Sequence, residues 1–505
     1  MKTNHKSLIL TLMLSVLIFP LSLPSSSLAG EIPVVLLPVE NSPLVTYRIQ
    51  FRVGSIDDPD GKKGLAMLTA TLLTEGGTQK RSYDEIIEYL YPMAARIQSQ
   101  VEKEVTTIIA TTHRDNLNKV YSLLMEMLLE PGFREEDFER IRTNLINYLA
   151  KQLRGNDDEN LAKEALNVFM YAGHPYGTPN QGLVSHLEGL TLKDVETHYK
   201  KYFTKGTVTV GIAGADTPKL AERALRDLGR LKDGQSKREP LPEPSPINGI
   251  EILAVEKECR STAISIGYPI NVTRTDPDFY ALLIANSYLG EHRTFNGVLM
   301  IRMRQVRGLN YGDYSYIENF IQEGRSTFPL ANIPRRQQFF SIWIRPVLHK
   351  NRHFSLRLAI WELEKFVKNG LSRDDFEATK KFLINYSKLW AQNQSRRLGY
   401  LLDSKFYGTD DFLKTLPEKL QDVTLEQVNA AIKRHLNCQN LRVAVVTKGA
   451  EEFLQDLISN KRSPIVYQAE GIPEDVLAED KKIGVFELSI NRDKSRVAAA
   501  AELFE

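Results

Sequence analysis

The sequence predicts an α+β protein built twice, as two homologous domains joined by a proline-rich linker. Three observations lead there. First, Phe133–Tyr148 reads FREEDFERIRTNLINY and Leu371–Tyr386 reads LSRDDFEATKKFLINY, with Asp-Phe-Glu and Leu-Ile-Asn-Tyr recurring at one offset. Leu190–Phe203 (LTLKDVETHYKKYF) likewise matches Val423–Leu436 (VTLEQVNAAIKRHL), and each match is followed by a β-rich run, Thr207–Gly214 or Leu441–Thr447. Solenoid units are about 20 to 50 residues long, so copies this far apart are duplicated domains. Second, in each half alternating apolar strands (44–53 and 105–112; 263–268 and 339–345) are interleaved with amphipathic helices such as 354–369. Third, Pro240, Pro242, Pro244 and Pro246 fall between the copies, a spacing that forbids helix and favours extended backbone.

The N-terminus carries Lys2 and Lys6, an apolar run from Leu8 to Phe19, and a Pro/Ser stretch ending Ser27-Leu28-Ala29. This is the layout of a cleavable secretory signal over residues 1–29, with a mature chain starting at Gly30 that is exported to a periplasm or secreted. The run falls short of the about 20 residues needed to cross a bilayer, so no stable membrane insertion is expected. The first domain then occupies residues 30–233, the linker 234–249 and the second domain 250–470. Residues 471–505 read as a polar, weakly held tail ending in an alanine run beside Glu502.

At 42% hydrophobic and 25% charged over 505 residues, the chain suits several ordinary cores rather than disorder. Its 65 basic and 63 acidic residues leave a formal charge of +2, and no basic stripe points to nucleic acid. Cys259 and Cys438 are too few for a disulfide framework, and the sequence leaves their pairing open.

The most informative motif is Gly54-Ser55-Ile56-Asp57-Asp58-Pro59, leading through a Gly/Lys loop into a helix from Gly64 that closes on Gly76-Gly77-Thr78. This resembles the opening of the pitrilysin, insulin-degrading and mitochondrial-processing peptidase family. In that family the same helix carries His-x-x-Glu-His, whose imidazoles bind zinc while the glutamate serves as general base. The three matching positions here are Met67, Ala70 and Thr71, and the register that leads to the family's third ligand, a glutamate, lands on Tyr148. A thioether, a methyl, an alcohol and a phenol cannot replace that donor set. Gly173-His174-Pro175-Tyr176-Gly177-Thr178-Pro179 with Gly182, and Tyr288 through Gly312, also resemble family segments. The resemblance implies a clam-shell half that binds no metal or other cofactor itself.

The same resemblance places Arg304 and Tyr311 on the arginine/tyrosine pair of the family's C-terminal domain, which faces the zinc helix across a closing chamber. Phe295–Arg307 reads as a helix, Gly308 suits a left-handed C-cap, and a strand beginning near Leu309 would return Tyr311 towards the last turn. A phenol can donate to an oxyanion and a guanidinium can hold substrate carbonyls. The competing reading has Arg304 capping its own helix and Tyr311 as a half-buried strand aromatic.

His349 and His353 form a His-x-x-x-His pair, but Arg352 and Lys350 beside them disfavour a cation. No Gly-x-Ser-x-Gly elbow or Walker loop occurs. The functional expectation is therefore a non-catalytic, substrate-binding subunit of a heterodimeric zinc metalloendopeptidase. A homologous subunit would carry the zinc and the substrate would be a peptide or unfolded polypeptide. The alternative is a proteolytically inactive binding or scaffold protein of the same fold.

Overall fold

Two sheets with one strand order express the repeat. The computed structural model describes residues 32–505 apart from 235–237, 323, 325 and 469, so the expected leader lies outside the described residues. In the first half β1 (Val34–Pro38), β2 (Leu44–Phe51), β3 (Arg96–Val101), β4 (Thr106–His113) and β5 (Val208–Gly214) lie in the order β1-β5-β2-β4-β3. In the second half β6 (Ile250–Glu256), β7 (Thr262–Ile270), β8 (Asp313–Tyr316), β9 (Gln338–Val347) and β10 (Leu441–Thr447) repeat that order as β6-β10-β7-β9-β8. In both, the first strand pairs in parallel with the last and the remaining pairings are antiparallel. The mixed sheets carry the expected α+β class. Alternation within β2, β4, β7 and β9 is faint because both sheet faces are covered, and nearly every position is buried.

The helices follow the same plan. The first half contains α1 (Leu65–Glu75), α2 (Tyr83–Leu90), α3 (Leu117–Leu129), α4 (Glu135–Asn147), α5 (Asp158–Met170), α6 (Val184–Gly189), α7 (Leu192–Tyr202) and α8 (Thr217–Leu228). The second contains α9 (Phe279–Gly290), α10 (Arg352–Asn369), α11 (Arg373–Ser387), α12 (Gln394–Tyr407), α13 (Phe412–Asp422), α14 (Leu425–His435) and α15 (Ala450–Ile458). Thr191 and Thr424 cap α7 and α14 with the same reciprocal box, through Asp194 and Gln427, which is why those segments match in sequence.

The halves exchange helices. α5 of the first half packs on β7 and β10 of the second, and its repeat counterpart α12 packs on β1, β2 and β5 of the first. Leu161, Ala165 and Leu166 of α5 share one core with Leu253, Ala263 and Val446 of the opposite sheet. Arg442 of β10 donates to the carbonyls of Phe169 and Met170 at 2.7 and 2.9 Å, placing a buried cation at the C-terminus of α5. The chain from residue 32 onward therefore folds as one unit even though it was written as two domains. The described part of the linker, 238–248, is free of helix, as its alternate prolines require.

The C-terminal segment corrects the expectation of a weakly held tail. Residues 474–483 form α16, and β11 (Arg496–Ala499) adds to the outer edge of β6 in parallel. Ile483 and Leu488 enter the core of the second half, whereas Phe504 is buried in the core shared with α5. Arg154 donates to the carbonyl of Ala501 at 2.6 Å and pairs with Glu505 at 2.6 Å. The polar composition misled because few apolar residues suffice when each is placed on an existing core. Deleting residues 471–505 should therefore destabilise the protein, by about 1.5–3 kcal/mol for each of Ile483, Leu488 and Phe504. Thermal denaturation of the truncated chain checks this, and an unchanged melting temperature would contradict it.

Candidate functional site

The motif leading into α1 is a cap for that helix. Asp58 is buried and accepts from the backbone N–H of Gly64 at 2.8 Å and of Ala66 at 2.7 Å, closing the orphan donors of the first turn. Burial raises the Asp58 carboxyl to about 7 against the pull of those bonds. Gly64 sits at φ +102°, and a Cβ there would meet the Gln181 carbonyl oxygen at 2.7 Å. The motif before α1 and the loop ending at Gly182 are thus pressed together by backbone contact, a reason to keep both whatever α1 carries.

Of the three α1 positions expected to lack zinc ligands, two pack in an apolar cluster. Ala70 is fully buried with Ala66 against Val101 of β3, and Met67 packs on the same small cluster. Thr71 is half-buried, and Thr74 on the next turn bonds Ser99 of β3 at 3.2 Å. Tyr148 stands where α4 passes into a π-helical stretch, Tyr148–Asn156, and its half-buried phenol, raised by desolvation, lines the cleft between the halves. These four side chains do not fit a zinc ion, because they offer no imidazole or carboxylate and the general-base position is sealed in apolar contact. Restoring histidine, glutamate and histidine at 67, 70 and 71 should yield no peptidase activity. It should also cost about 1–3 kcal/mol, since glutamate at 70 overpacks a closed site and buries an unpaired carboxylate. Robust peptide cleavage by the triple variant, measured beside its melting temperature and zinc content, would overturn this account.

Arg304 and Tyr311 occupy a different environment. The helix expected over Phe295–Arg307 starts only at Val298, and its Met300–Gln305 part is π-helical, with Val306 N–H bonded to the Ile301 carbonyl at 2.9 Å. Gly308 takes the left-handed conformation expected of it (φ +62°), its N–H on the Arg304 carbonyl at 2.9 Å. The strand expected near Leu309 begins at Asp313, so Tyr311 precedes it on a bend and is 76% exposed. It is not a half-buried strand aromatic.

Nor does Arg304 cap its own helix. That task falls to Arg307, whose guanidinium donates to the Arg302 carbonyl at 3.0 Å. Arg302 pairs with Glu362 at 2.9 Å and with Glu479, and Arg307 with Asp480 at 2.8 Å and Glu479 at 2.7 Å. Among the described residues Arg304 has no carboxylate partner. It lies over the ring of Phe295, 5.4 Å from its centroid, and that ring is itself 61% exposed. Two of the three arginines of this segment are thus locked to α10 and α16, whereas the third, Arg304, is half-buried against Phe295. The bracing residues Glu479 and Asp480 lie in the segment read as a tail, and only the helix-start pattern Pro473-Glu474-Asp475 signalled them.

The histidine pair is structural. His349 contacts Thr262 Oγ1 at 2.8 Å and the Cys259 carbonyl at 2.9 Å, and His353 contacts the Phe453 carbonyl at 3.2 Å. Asp276, Asp278 and His435 gather on the second half, but Asp278 already bonds His435 at 2.7 Å and the Arg434 guanidinium, which opposes a cation there. Cys259 and Cys438 are both free thiols. One follows β6 and the other precedes its parallel neighbour β10, at opposite ends of the paired strands.

The family model described as Insulinase (Peptidase family M16) matches residues 34–182, and the one described as Peptidase M16 inactive domain matches 189–383. A non-peptidase homolog, YmxG of Helicobacter pylori, is 22% identical over 450 residues, covering 88% of this chain and 98% of its own. The zinc protease PqqE of the same organism is 22% identical over 281 residues, 54% of this chain and 61% of its own. Among solved structures, a peptidase M16 inactive domain from Pseudomonas fluorescens superposes with a TM-score of 0.73 at 22% identity, over 83% of this chain and 96% of its own. A protease from Helicobacter pylori gives 0.68 at 16% identity, over 83% and 97%.

Proposed function

Since the chain belongs to peptidase family M16 and is a homologue without the family's zinc-binding side chains, we propose that it is the non-catalytic subunit of an exported heterodimeric zinc peptidase. A homologous subunit supplies the metal, and this chain supplies Arg304 and Tyr311 to that subunit's site. One observation carries the reading: Tyr311 is exposed and Arg304, half-buried, has no carboxylate partner among the described residues on a segment whose other arginines are ion-paired, and neither serves its own fold in the way the competing reading requires. An exposed phenol and an exposed Phe295, with the half-buried Arg304 guanidinium over the Phe295 ring, suit a surface that a second subunit closes over. The pairing is supported by an organism, Helicobacter pylori, that holds both a relative named a non-peptidase homolog and one named a zinc protease.

In this role Tyr311 donates a hydrogen bond to the oxyanion that develops on the scissile carbonyl, and Arg304 holds a neighbouring carbonyl of the extended substrate. The test is reconstitution. Alone, the chain should cleave no unfolded peptide and hold no stoichiometric zinc by elemental analysis. Mixed with an exported family member containing His-x-x-Glu-His, it should co-elute on gel filtration and switch on peptidase activity. Co-elution without any gain of activity would leave the scaffold reading as the better one.

A further inference from the structure

One departure from the pseudo-symmetry of the halves builds a cleft. β3 and β4 are joined by the short turn 102–105, whereas their counterparts β8 and β9 are joined by the long segment 317–337, which carries no helix or strand among its described residues. Loops this long without structure of their own are usually functional. This one crosses towards the first half and walls a cavity of about 410 Å³ between itself, α5, the 102–105 turn and Tyr148. That volume lies within the range of about 300–1,000 Å³ typical of small-ligand sites.

The cleft holds buried polar atoms that have no partner among the described residues. Arg335 is 3% exposed, yet its Nε and Nη1 donors are unpaired, and its nearest carboxylate, Glu102, approaches Nη2 only to 3.8 Å. Asn319 is 7% exposed with its Nδ2 donor unpaired. On the facing helix, Asn167 directs its Nδ2 to Glu164 at 3.4 Å, which orients the amide and leaves Oδ1 as an unpaired acceptor. Burying such atoms without partners is costly, so a native structure that does so repeatedly in one cavity has a ligand to satisfy them. Two donor groups and one acceptor on residues that line the same cleft match a carboxylate followed by an amide N–H. The charges agree, because Lys103, Lys163 and Arg335 line the cleft against Glu102 and Glu164, an excess of one cation. Phe320, from the long loop, and Trp343, with Lys163 over its ring at 4.0 Å, supply an apolar wall.

We propose that this cleft binds the C-terminal end of a short peptide. Arg335 and Asn319 take its carboxylate, Asn167 takes its last amide N–H, and an apolar side chain lies against Phe320 and Trp343. The site belongs to this chain alone and shares with the subunit role only the class of ligand, so the two fail separately.

Calorimetric titration of the full mature chain, without any partner or metal, tests this. The tripeptide alanyl-alanyl-phenylalanine should bind at least about tenfold more tightly than its C-terminal amide, since a charge-assisted pair is lost in the amide. It should also bind at least about tenfold more tightly than acetate, which lacks the amide and the side chain. Arg335→Gln should abolish binding. Should that variant fold poorly, Phe320→Leu, which keeps this buried position apolar, should weaken the phenylalanine peptide while sparing alanyl-alanyl-alanine. Acid and amide of equal affinity, acetate as tight as the peptide, or no binding at about 1 mM ligand would each overturn the proposal.

Discussion

Tyr311→Phe, assembled with a zinc-bearing partner, should turn over peptide about 10²- to 10³-fold more slowly than the wild-type pair, the usual effect of deleting one oxyanion donor. The loss should fall on kcat and leave KM and assembly nearly unchanged. The hydroxyl is asked to act only on charge that develops in the transition state, and interactions of that kind do not contribute to ground-state binding. The fold gives no reason for a stability effect: Tyr311 is 76% exposed and lies on a bend ahead of β8, outside every buried cluster. Arg304→Ala should differ by raising KM as well, because a guanidinium that holds a carbonyl does so before reaction. It should likewise leave the monomer's melting temperature unchanged, as no carboxylate within the described residues depends on it. Steady-state kinetics on the reconstituted pair, with gel filtration as the control for assembly, separates these outcomes. Wild-type turnover from both variants would make the pair incidental.

The parts of the molecule legible in the sequence are those specified locally or by repetition. Thr191 and Thr424 cap equivalent helices with a pattern readable over four residues, and Gly308 announces a left-handed position that only its own φ requires. The apolar packing of Met67 and Ala70 likewise follows from what they are. What could not be read depends on distant partners. Which arginines of the segment find acids is set by Glu362 and Glu479, which lie far along the chain. The tail was misread because its core residues pack on surfaces made elsewhere. The crossing of α5 and α12 onto opposite sheets leaves no local trace, since a helix covered by either sheet needs the same apolar face.

That crossing makes one buried carboxylate unusually consequential, and Glu104→Ala should lower unfolding stability by about 3–5 kcal/mol, the cost of breaking a buried ionic cluster from one side. Glu104 is fully buried at the turn between β3 and β4. One of its oxygens accepts from the Tyr176 hydroxyl and from the Arg336 backbone N–H at 2.9 Å. The other accepts from Arg336 Nε at 2.7 Å and from Arg238 Nη1 at 3.1 Å. A single side chain therefore joins the first sheet, the loop at Tyr176, the linker and the long loop of the second half. Removing it takes one of two acids from Arg238, which keeps Asp57 at 2.6 Å, takes the acid from the exposed Arg336, and leaves the buried Tyr176 hydroxyl without its acceptor. Glu104→Gln should fall between, keeping one acceptor but turning an amide N–H towards the arginine donors. Glu104→Leu with Arg336→Met should recover part of the loss, because apolar groups packed together need no charged partner. Urea denaturation of the three variants gives the order directly. A loss below about 1 kcal/mol in Glu104→Ala, the value of a solvent-screened surface pair, would mean that the halves are held together by α5 and α12 alone.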